Sequence, residues 1–134
     1  MKPKVLAVIP ARLGSRRFSG KVLYPFKGKP LLFYVWNEMR KAKRVDRLVI
    51  ATDSREIKLA AEDFGAEVIL SRKNHLSGSD RVAEIAGKVG GEIIVNIQAD
   101  NVTLPAKVID KGIDLMRKSR AMLFATAATP IGLR

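Results

Sequence analysis

The chain has 134 residues, of which 47% are hydrophobic and none is cysteine. This length and composition exclude an intrinsically disordered protein and predict one globular domain, residues 1–134, with a buried core. The absence of cysteine excludes a disulfide framework and a cysteine-based zinc site, and makes the cytoplasm the expected location.

The formal net charge of +12 attracts polyanions, and nucleic acid is one candidate. The basic residues, however, fall in separate regions, residues 12–29, 40–47 and 117–120, and no aromatic residues alternate with them as stacking platforms. The distribution therefore favours a nucleotide over a nucleic acid as partner. The apolar run Val5 to Ile9 is too short to cross a bilayer and no cleavage site follows it, so we expect neither a membrane partner nor a targeting segment.

The first part of the chain alternates predicted strands with helices. Residues 4–9 form a β-branched apolar run without alternation, which predicts a strand buried on both faces that ends at Pro10. Residues 27–30 predict a turn, and Pro30 suits the first position of a helix. Apolar side chains at helical spacing give this helix its inner face, and Trp36 is therefore expected in the core. They are Leu31, Leu32, Val35, Trp36 and Met39.

A second helix is predicted between two further strands, residues 45–52 and 66–70. Asp53 and Ser54 can cap this helix, and Gly65 stops it. Four apolar residues share its inner face: Ile57, Ala60, Ala61 and Phe64.

The remaining elements follow the same alternation. A polar loop at 71–79 precedes a helix predicted from about Asp80 to Val89. Residues 92–98 predict a fourth strand that is too continuously apolar for a solvent-facing sheet. Pro105 opens another helix, and residues 121–129 predict a fifth strand.

This order predicts an α/β fold with a doubly wound, mostly parallel sheet, in which the carboxyl ends of the strands meet at one edge. We expect the segment after the first strand, Asp53, the 71–79 loop and Asp100 to lie at that edge, where such sheets bind ligands. The first turn lacks the G-x-G-x-x-G pattern, which argues against a hydride-transfer enzyme.

Residues 8–21, which follow the first strand, contain three arginines, a lysine, two serines and two glycines. Guanidinium groups and hydroxyls donate hydrogen bonds to phosphate oxygens, and glycines let the backbone approach a phosphate closely. This composition therefore predicts a cradle, that is, a binding loop for a polyphosphate. The segment is not a Walker A loop, because five residues separate Gly14 from Gly20 and Val22 follows the lysine. A solvated basic turn is the alternative, but the position directly after a strand favours the phosphate interpretation.

The same segment resembles the nucleotide loop of 3-deoxy-manno-octulosonate (Kdo) cytidylyltransferases, whose pattern runs roughly I-P-A-R-x-x-S-x-R-L-P-x-K. Phe18 and Ser19 depart from it, in place of Leu-Pro. The resemblance implies a nucleotide-diphospho-sugar transferase-like, Rossmann-like fold, truncated, in which this loop holds CTP. The nucleotide-binding residues expected here are Pro10, Ala11, Arg12, Gly14, Ser15, Arg17 and Lys21.

Residues 74–81 form a second candidate segment. From the residues alone, Ser79 is an N-cap, Asp80 a first-turn acid favourable to the helix dipole, and His75 a solvated loop residue. The Kdo family carries a similar H-x-S-G-T/S-D/E-R segment, which implies a part of the cytosine and ribose pocket. The binding residues expected from it are His75, Ser77, Gly78, Ser79 and Arg81.

Asp100 follows the fourth predicted strand and is the candidate metal ligand, because Mg²⁺ prefers hard oxygen ligands. A turn-capping role is the alternative. The segment resembles the family pattern N-x-Q-G-D-E-P, whose Asp binds Mg²⁺, at Gln98 and Asp100, whereas Ala99 and Asn101 replace Gly and Glu. Asp53 matches the A-T-D turn of the family, and a capping role is expected for it.

The resemblance extends to Ile131 and covers about half the usual length of family members. It implies a nucleotidyltransferase of lipopolysaccharide biosynthesis that moves CMP from CTP to the sugar acid Kdo and releases pyrophosphate. Arg12, Lys21 and Asp100 are the expected catalytic residues, and Mg²⁺ is the expected cofactor. The alternative is a CTP-binding module or inactive truncated remnant, and self-association or a complementing C-terminal half is also expected.

Overall fold

The computed structural model describes residues 3–14, 21–72 and 77–118. Its centre is a four-stranded sheet with strands β1 (Val5–Pro10), β4 (Arg47–Thr52), β5 (Val68–Leu70) and β6 (Ile93–Asn96). The helices are α1 (Leu31–Met39), α2 (Arg55–Asp63), α3 (Gly78–Val89) and α4 (Ala106–Lys118). A short hairpin of β2 (Pro25–Phe26) and β3 (Lys29–Pro30) follows a 3-10 turn at Lys21–Leu23.

All pairings in the larger sheet are parallel, and the strand order is β5-β4-β1-β6. Strand β1 is central, with Val8 opposite Val49 of β4 on one side and opposite Asn96 of β6 on the other. Residues 5–9 are fully buried. The predicted two-sided burial of the first strand is thereby confirmed.

Helices cover both faces of the sheet, which confirms the doubly wound α/β fold. On one face Ala7, Ile9 and Ile50 join the apolar sides of α1 and α2 in one core cluster. On the other face Leu6 and Val8 pack with apolar residues of α3. Alternate residues of each strand therefore enter different cores, as the period of two in a β-strand requires.

The helix caps differ from the predictions at two positions. In α3 the N-cap is Ser77, whose Oγ accepts a hydrogen bond from the Asp80 N–H at 3.2 Å, so the prediction of Ser79 as cap is wrong. In α2 the cap is Ser54, which accepts from the Ile57 N–H, and the capping role expected for Asp53 is also wrong. Both cap residues have the extended backbone that a capping hydroxyl needs.

Strand β6 is less buried than its sequence predicts. Ile93 and Val95 are half-buried and Ile94 is 38% exposed, because β6 is an edge strand within the described part of the sheet. The predicted fifth strand, at 121–129, lies outside the described residues. Among the residues that the structure describes, no helix is long and apolar enough to cross a membrane.

The region from Lys27 to Pro30 contains a turn, as predicted, but it closes a hairpin. Lys27 and Gly28 both have positive φ, 50° and 84°, which is the backbone of the tight turns that join antiparallel strands. Pro30 is the N-cap of α1, and the helix begins at Leu31, one residue after the predicted start at Pro30. Trp36 is half-buried and packs against Phe64, with ring centroids 5.1 Å apart, which confirms its assignment to the core.

Polar contacts hold α4 against α1 and the segment that follows α1. Glu38 Oε2 accepts a hydrogen bond from the first amide of α4, Ala106 N–H, at 2.9 Å. This bond, together with the nearby Lys41 ammonium, lowers the pKa of Glu38 below its ordinary value. Asp110 accepts from the backbone amides of Lys43 and Arg44. The charged groups of α4 and α1 therefore fix the position of α4, which follows the Asp100 segment.

Candidate functional site

An open cleft of about 270 Å³ lies at the carboxyl edge of the sheet. The ends of β1 and β6 form one wall and the first turn of α3 forms the other. This is the place where ligands bind in open α/β sheets. The residues that line it are Pro10, Ala11, Arg12, Lys21, Val22, Ser77, Gly78, Arg81, Gln98, Ala99 and Asp100.

Most of the predicted site residues thus come together, but not all. Gly14 and Ser79 do not line the cleft; the Ser79 hydroxyl instead accepts from the Asn96 side chain at 3.3 Å. Ser15, Arg17 and His75 lie outside the described residues, so the roles predicted for them stay predictions. Sequence reasoning missed Val22 as a lining residue, since a single apolar residue after the cradle carries no distinguishing signal.

The side of the cleft formed by the ends of β1 and β6 and by the 3-10 turn at Lys21–Leu23 carries exposed charges of both signs. Lys21 Nζ lies 3.5 Å from Asp100 Oδ2, and the two side chains are 49% and 56% exposed. An ion pair of this exposure is weak, because water and salt screen it. Both groups can therefore exchange this partner for a ligand, the ammonium for a phosphate and the carboxylate for a cation.

The backbone of this wall is held in place. The Ala11 N–H donates to the Ala51 carbonyl at 2.8 Å, which continues the pairing between β1 and β4 beyond Pro10. On the β6 side the Asn101 N–H donates to the Gln98 carbonyl at 3.1 Å. Asp100 therefore lies in a turn, as its alternative interpretation also predicts, and that turn presents its carboxylate at the cleft.

The opposite wall begins where α3 approaches the end of β1. A Cβ added to Gly78 would lie 3.1 Å from Pro10 Cγ, so only glycine fits this contact without displacing its neighbour. The capped first turn of α3 is thereby packed directly on the strand end, beside the Gln98 side chain.

Arg81 lies one turn further along α3 and is buried, with 4% of its surface exposed. Its Nη1 donates to the Ser71 Oγ and, at 3.2 Å, to the Arg72 carbonyl, and it lies 3.9 Å from Asp53 Oδ1. Three side chains from the ends of β4, β5 and the start of α3 thus form one polar cluster behind the cleft. Sequence reasoning predicted Arg81 in the site but not its partners, because they are far away in the chain.

The oxygen groups at the β6 end fit a divalent cation that is shared with a ligand. Asp100 offers a hard carboxylate and Gln98 an amide oxygen, and both line the cleft. Within residues 3–14, 21–72 and 77–118, no three acidic, histidine or cysteine side chains group as a metal site. Mg²⁺ is suited to such a sparse set, because it commonly retains waters and takes further ligands from substrate phosphates.

Comparison with known proteins gives a consistent result. A family model described as cytidylyltransferase matches residues 6–134. The 3-deoxy-manno-octulosonate cytidylyltransferase of Pseudomonas syringae pv. tomato is 46% identical over 127 residues, 92% of this chain and 50% of that protein. The corresponding enzyme of Pseudomonas fluorescens is 40% identical over 134 residues, 98% of this chain and 52% of that protein.

A solved structure agrees with these relatives. CMP:2-keto-3-deoxy-manno-octonic acid synthetase, in complex with CTP, superposes with a TM-score of 0.86 at 34% identity, over 89% of this chain and 49% of that chain. This chain therefore spans about half the length of the relatives it matches. Since the family model covers nearly all of the sequence, the chain belongs to the cytidylyltransferase family.

Proposed function

We propose that the cleft binds CTP and that the protein is a nucleotidyltransferase, which moves CMP from CTP to Kdo with release of pyrophosphate. The observation that carries the proposal is the meeting of Arg12, Lys21 and Asp100 in one open cleft at the carboxyl edge of the sheet. A triphosphate with a divalent cation requires this combination of positive groups and a carboxylate. The names of the relatives and the CTP bound in the similar structure support the choice of nucleotide.

In this reaction the anomeric hydroxyl of the sugar acid attacks the α-phosphorus of CTP, and the bond to the pyrophosphate oxygen breaks. The protein mainly positions the reactants and balances charge, because the chemistry needs no covalent enzyme intermediate. Arg12 and Lys21 neutralise the phosphate oxygens from the β1 side of the cleft. Their positive charge also stabilises the pyrophosphate as it leaves.

The α3 wall receives the nucleoside in this proposal. Ser77, Gly78 and Arg81 line it, and the absence of a side chain at Gly78 lets the first turn of α3 pack directly against Pro10. Gln98 faces this wall from the β6 end, and its amide can both donate and accept hydrogen bonds. The sequence also predicts that Ser15, Arg17 and His75 bind the nucleotide, and these roles stay predictions.

Asp100, whose carboxylate lines the cleft, would hold Mg²⁺. When bound, this ion neutralises charge on the triphosphate. Before it binds, the Asp100 carboxylate faces the Lys21 ammonium at 3.5 Å, so the two groups separate to take a cation and a phosphate respectively. The cost of this separation is small because both groups are half-exposed.

CTP binding without turnover is the second candidate, and one pair of residues favours it. Ala99 and Asn101 flank Asp100 where the family pattern has Gly and Glu, so a negative charge beside the metal position is missing. A weaker metal site would bind CTP but would stabilise the transition state less.

We further propose a cytoplasmic protein, because the chain has no cysteine and CTP is a cytoplasmic nucleotide. Self-association or association with a complementing half stays a prediction. Apolar residues such as Tyr24, Phe26 and Leu115 are about half exposed and offer surface for it. Sedimentation tests the prediction, and a clean monomer would contradict self-association.

The proposal is tested by calorimetric titration of the protein with CTP, with ATP as competitor, with and without Mg²⁺. We expect saturable CTP binding that ATP does not displace and that Mg²⁺ strengthens. Pyrophosphate release is then measured with CTP, Mg²⁺ and Kdo together, and with each omitted in turn. Release only with all three supports the transferase, binding without release supports the CTP-binding module, and absence of binding contradicts both.

A further inference from the structure

We propose that Asp53 and Ser71 are positioning residues of the cleft: they hold the Arg81 guanidinium, and with it the first turn of α3, in the place where the nucleoside binds. The inference rests on the proposed function of the cleft. Neither residue lines the cleft, so neither acts by touching the ligand. They act through Arg81, which does line it.

Arg81 is almost fully buried among hydrogen-bond acceptors. The side chain is 5% exposed, and one nitrogen, Nη1, faces the Ser71 hydroxyl, the Arg72 carbonyl and the Asp53 carboxylate together. A buried guanidinium is costly unless acceptors surround it, and here a hydroxyl, a carbonyl and a carboxylate do so. The orientation of the side chain is therefore set by these partners rather than by solvent.

The partners of Arg81 lie at the ends of two strands of the sheet. Asp53 directly follows β4, and Ser71 directly follows β5, whose end is tied to β4 because the Ser71 N–H donates to the Thr52 carbonyl at 2.9 Å. The two acceptors are thus fixed to the rigid sheet. Because Arg81 binds these acceptors, it restrains the position of α3, whose start includes the cleft residues Ser77 and Gly78.

Helix α3 makes a second hydrogen bond to the same segment. Glu84, which lies one turn after Arg81 on α3, accepts a hydrogen bond from the Arg72 N–H at 3.0 Å. Arg81 donates to the carbonyl of that same residue. Helix α3 therefore binds both backbone groups of Arg72, and its first turns cannot shift along the sheet without breaking these bonds.

The fork shape of the guanidinium matters for this role. One arginine nitrogen, Nη1, carries two N–H groups and donates to both Ser71 and Arg72. A lysine side chain is one atom shorter and has no planar group, so its ammonium would not take the same place among these acceptors. Arg81→Lys should therefore keep the charge and lose the positioning.

The test compares two ligands, CTP and inorganic triphosphate, in calorimetric titrations of the wild-type chain, Asp53→Asn and Ser71→Ala. Asp53→Asn removes the negative charge beside Arg81, Ser71→Ala removes its hydroxyl acceptor, and both leave the cleft lining intact. We expect the Kd for CTP to rise about tenfold in Asp53→Asn, through loss of the opposite charge, and about threefold in Ser71→Ala, through loss of a hydrogen bond to a charged group. The Kd for inorganic triphosphate should change less than about twofold, because its phosphates meet Arg12 and Lys21.

Asp63→Asn is the matched control, since Asp63 is an exposed aspartate at the end of α2 and should leave both affinities unchanged. Equal weakening of CTP and inorganic triphosphate would indicate a general structural effect and would overturn the inference, as would unchanged CTP affinity in both variants. A wild-type chain that binds no CTP would instead overturn the proposed function itself. If Asp53→Asn does not fold, Ser71→Ala, which keeps the charge pair, decides the question alone.

Discussion

One ion pair lies in the cleft at the ends of β1 and β6, and a second lies behind the α3 wall. Each joins an aspartate to a basic side chain at a similar distance, but in different surroundings. Lys21 and Asp100 are separated by 3.5 Å and are about half exposed, whereas Arg81 and Asp53 are separated by 3.9 Å with only 5% and 23% of their side chains exposed. Distance therefore does not distinguish the pairs. The burial of the side chains does distinguish them, and it indicates that the two pairs have different roles.

The physical reason is the balance between desolvation and attraction. An exposed pair contributes about 0–1 kcal/mol and separates easily, so its members can bind a ligand. The Arg81 guanidinium is almost fully buried and has lost its hydration, so removal of Asp53 would leave its charge less compensated. Lys21 and Asp100 can therefore exchange each other for a ligand, whereas Arg81 and Asp53 stay paired and keep α3 in place.

The largest effect is expected from Arg81→Ala, which removes the buried cation. The free energy of unfolding should fall by about 2–4 kcal/mol, because Asp53 and Ser71 keep their places without a donor. Urea denaturation followed by circular dichroism measures this change. A loss below about 1 kcal/mol would remove the distinction between the two pairs.

Lys21→Ala is expected to act on binding and to spare stability. The free energy of unfolding should change by less than about 1 kcal/mol, while the Kd for CTP rises about ten- to a hundredfold through the loss of a charged hydrogen bond to phosphate. Denaturation and calorimetry on the same preparation measure both quantities.

Lys58→Ala is the matched control for this variant. Lys58 also pairs with a carboxylate, Glu62 at 2.9 Å, but it is on α2 and does not line the cleft. It should leave CTP affinity unchanged. Unchanged affinity in Lys21→Ala as well would contradict the assignment of the cradle.

The smallest effect is expected at Glu38, whose side chain is 33% exposed and which therefore lies between the two pairs in exposure. Its pKa is lowered, first by the Ala106 amide and then by Lys41, so its contribution to stability exists above the ordinary pKa of 4.5. That contribution disappears as the pH falls through the lowered pKa. Glu38→Gln should be less stable than the wild type at neutral pH and should approach it in acid.

Urea denaturation at a series of pH values measures this difference. Lys41→Ala removes only the second cause of the shift and should reproduce part of the effect. A difference between Glu38→Gln and the wild type that stays constant down to the most acidic pH would contradict the role of the carboxylate at the start of α4.

The order of the four parallel strands and the four helices, and the place of the cleft, could be predicted from the sequence, whereas the β2–β3 hairpin was not predicted and the predicted fifth strand lies outside the described residues. The continuous apolar run at residues 4–9 indicates a strand buried on two sides, and glycines at 65 and 90 mark helix ends. Such features are local: they follow from the period of apolar residues and from the backbone preferences of a few residue types. The edge at which Arg12, Lys21 and Asp100 meet then follows from the rule that parallel strands align their carboxyl ends.

Other features were decided only by tertiary structure. Asp53 and Ser54 are both acceptable caps by residue type, and backbone geometry selected Ser54 because its hydroxyl reaches the Ile57 amide. Asp53 became a partner of Arg81 because α3 packs over the ends of β4 and β5, a proximity that no local pattern encodes. The sequence by itself determined which charged residues lie at the cleft. Packing determined how deeply each one is buried, and therefore which of them can bind a ligand and which of them hold α3 against the sheet.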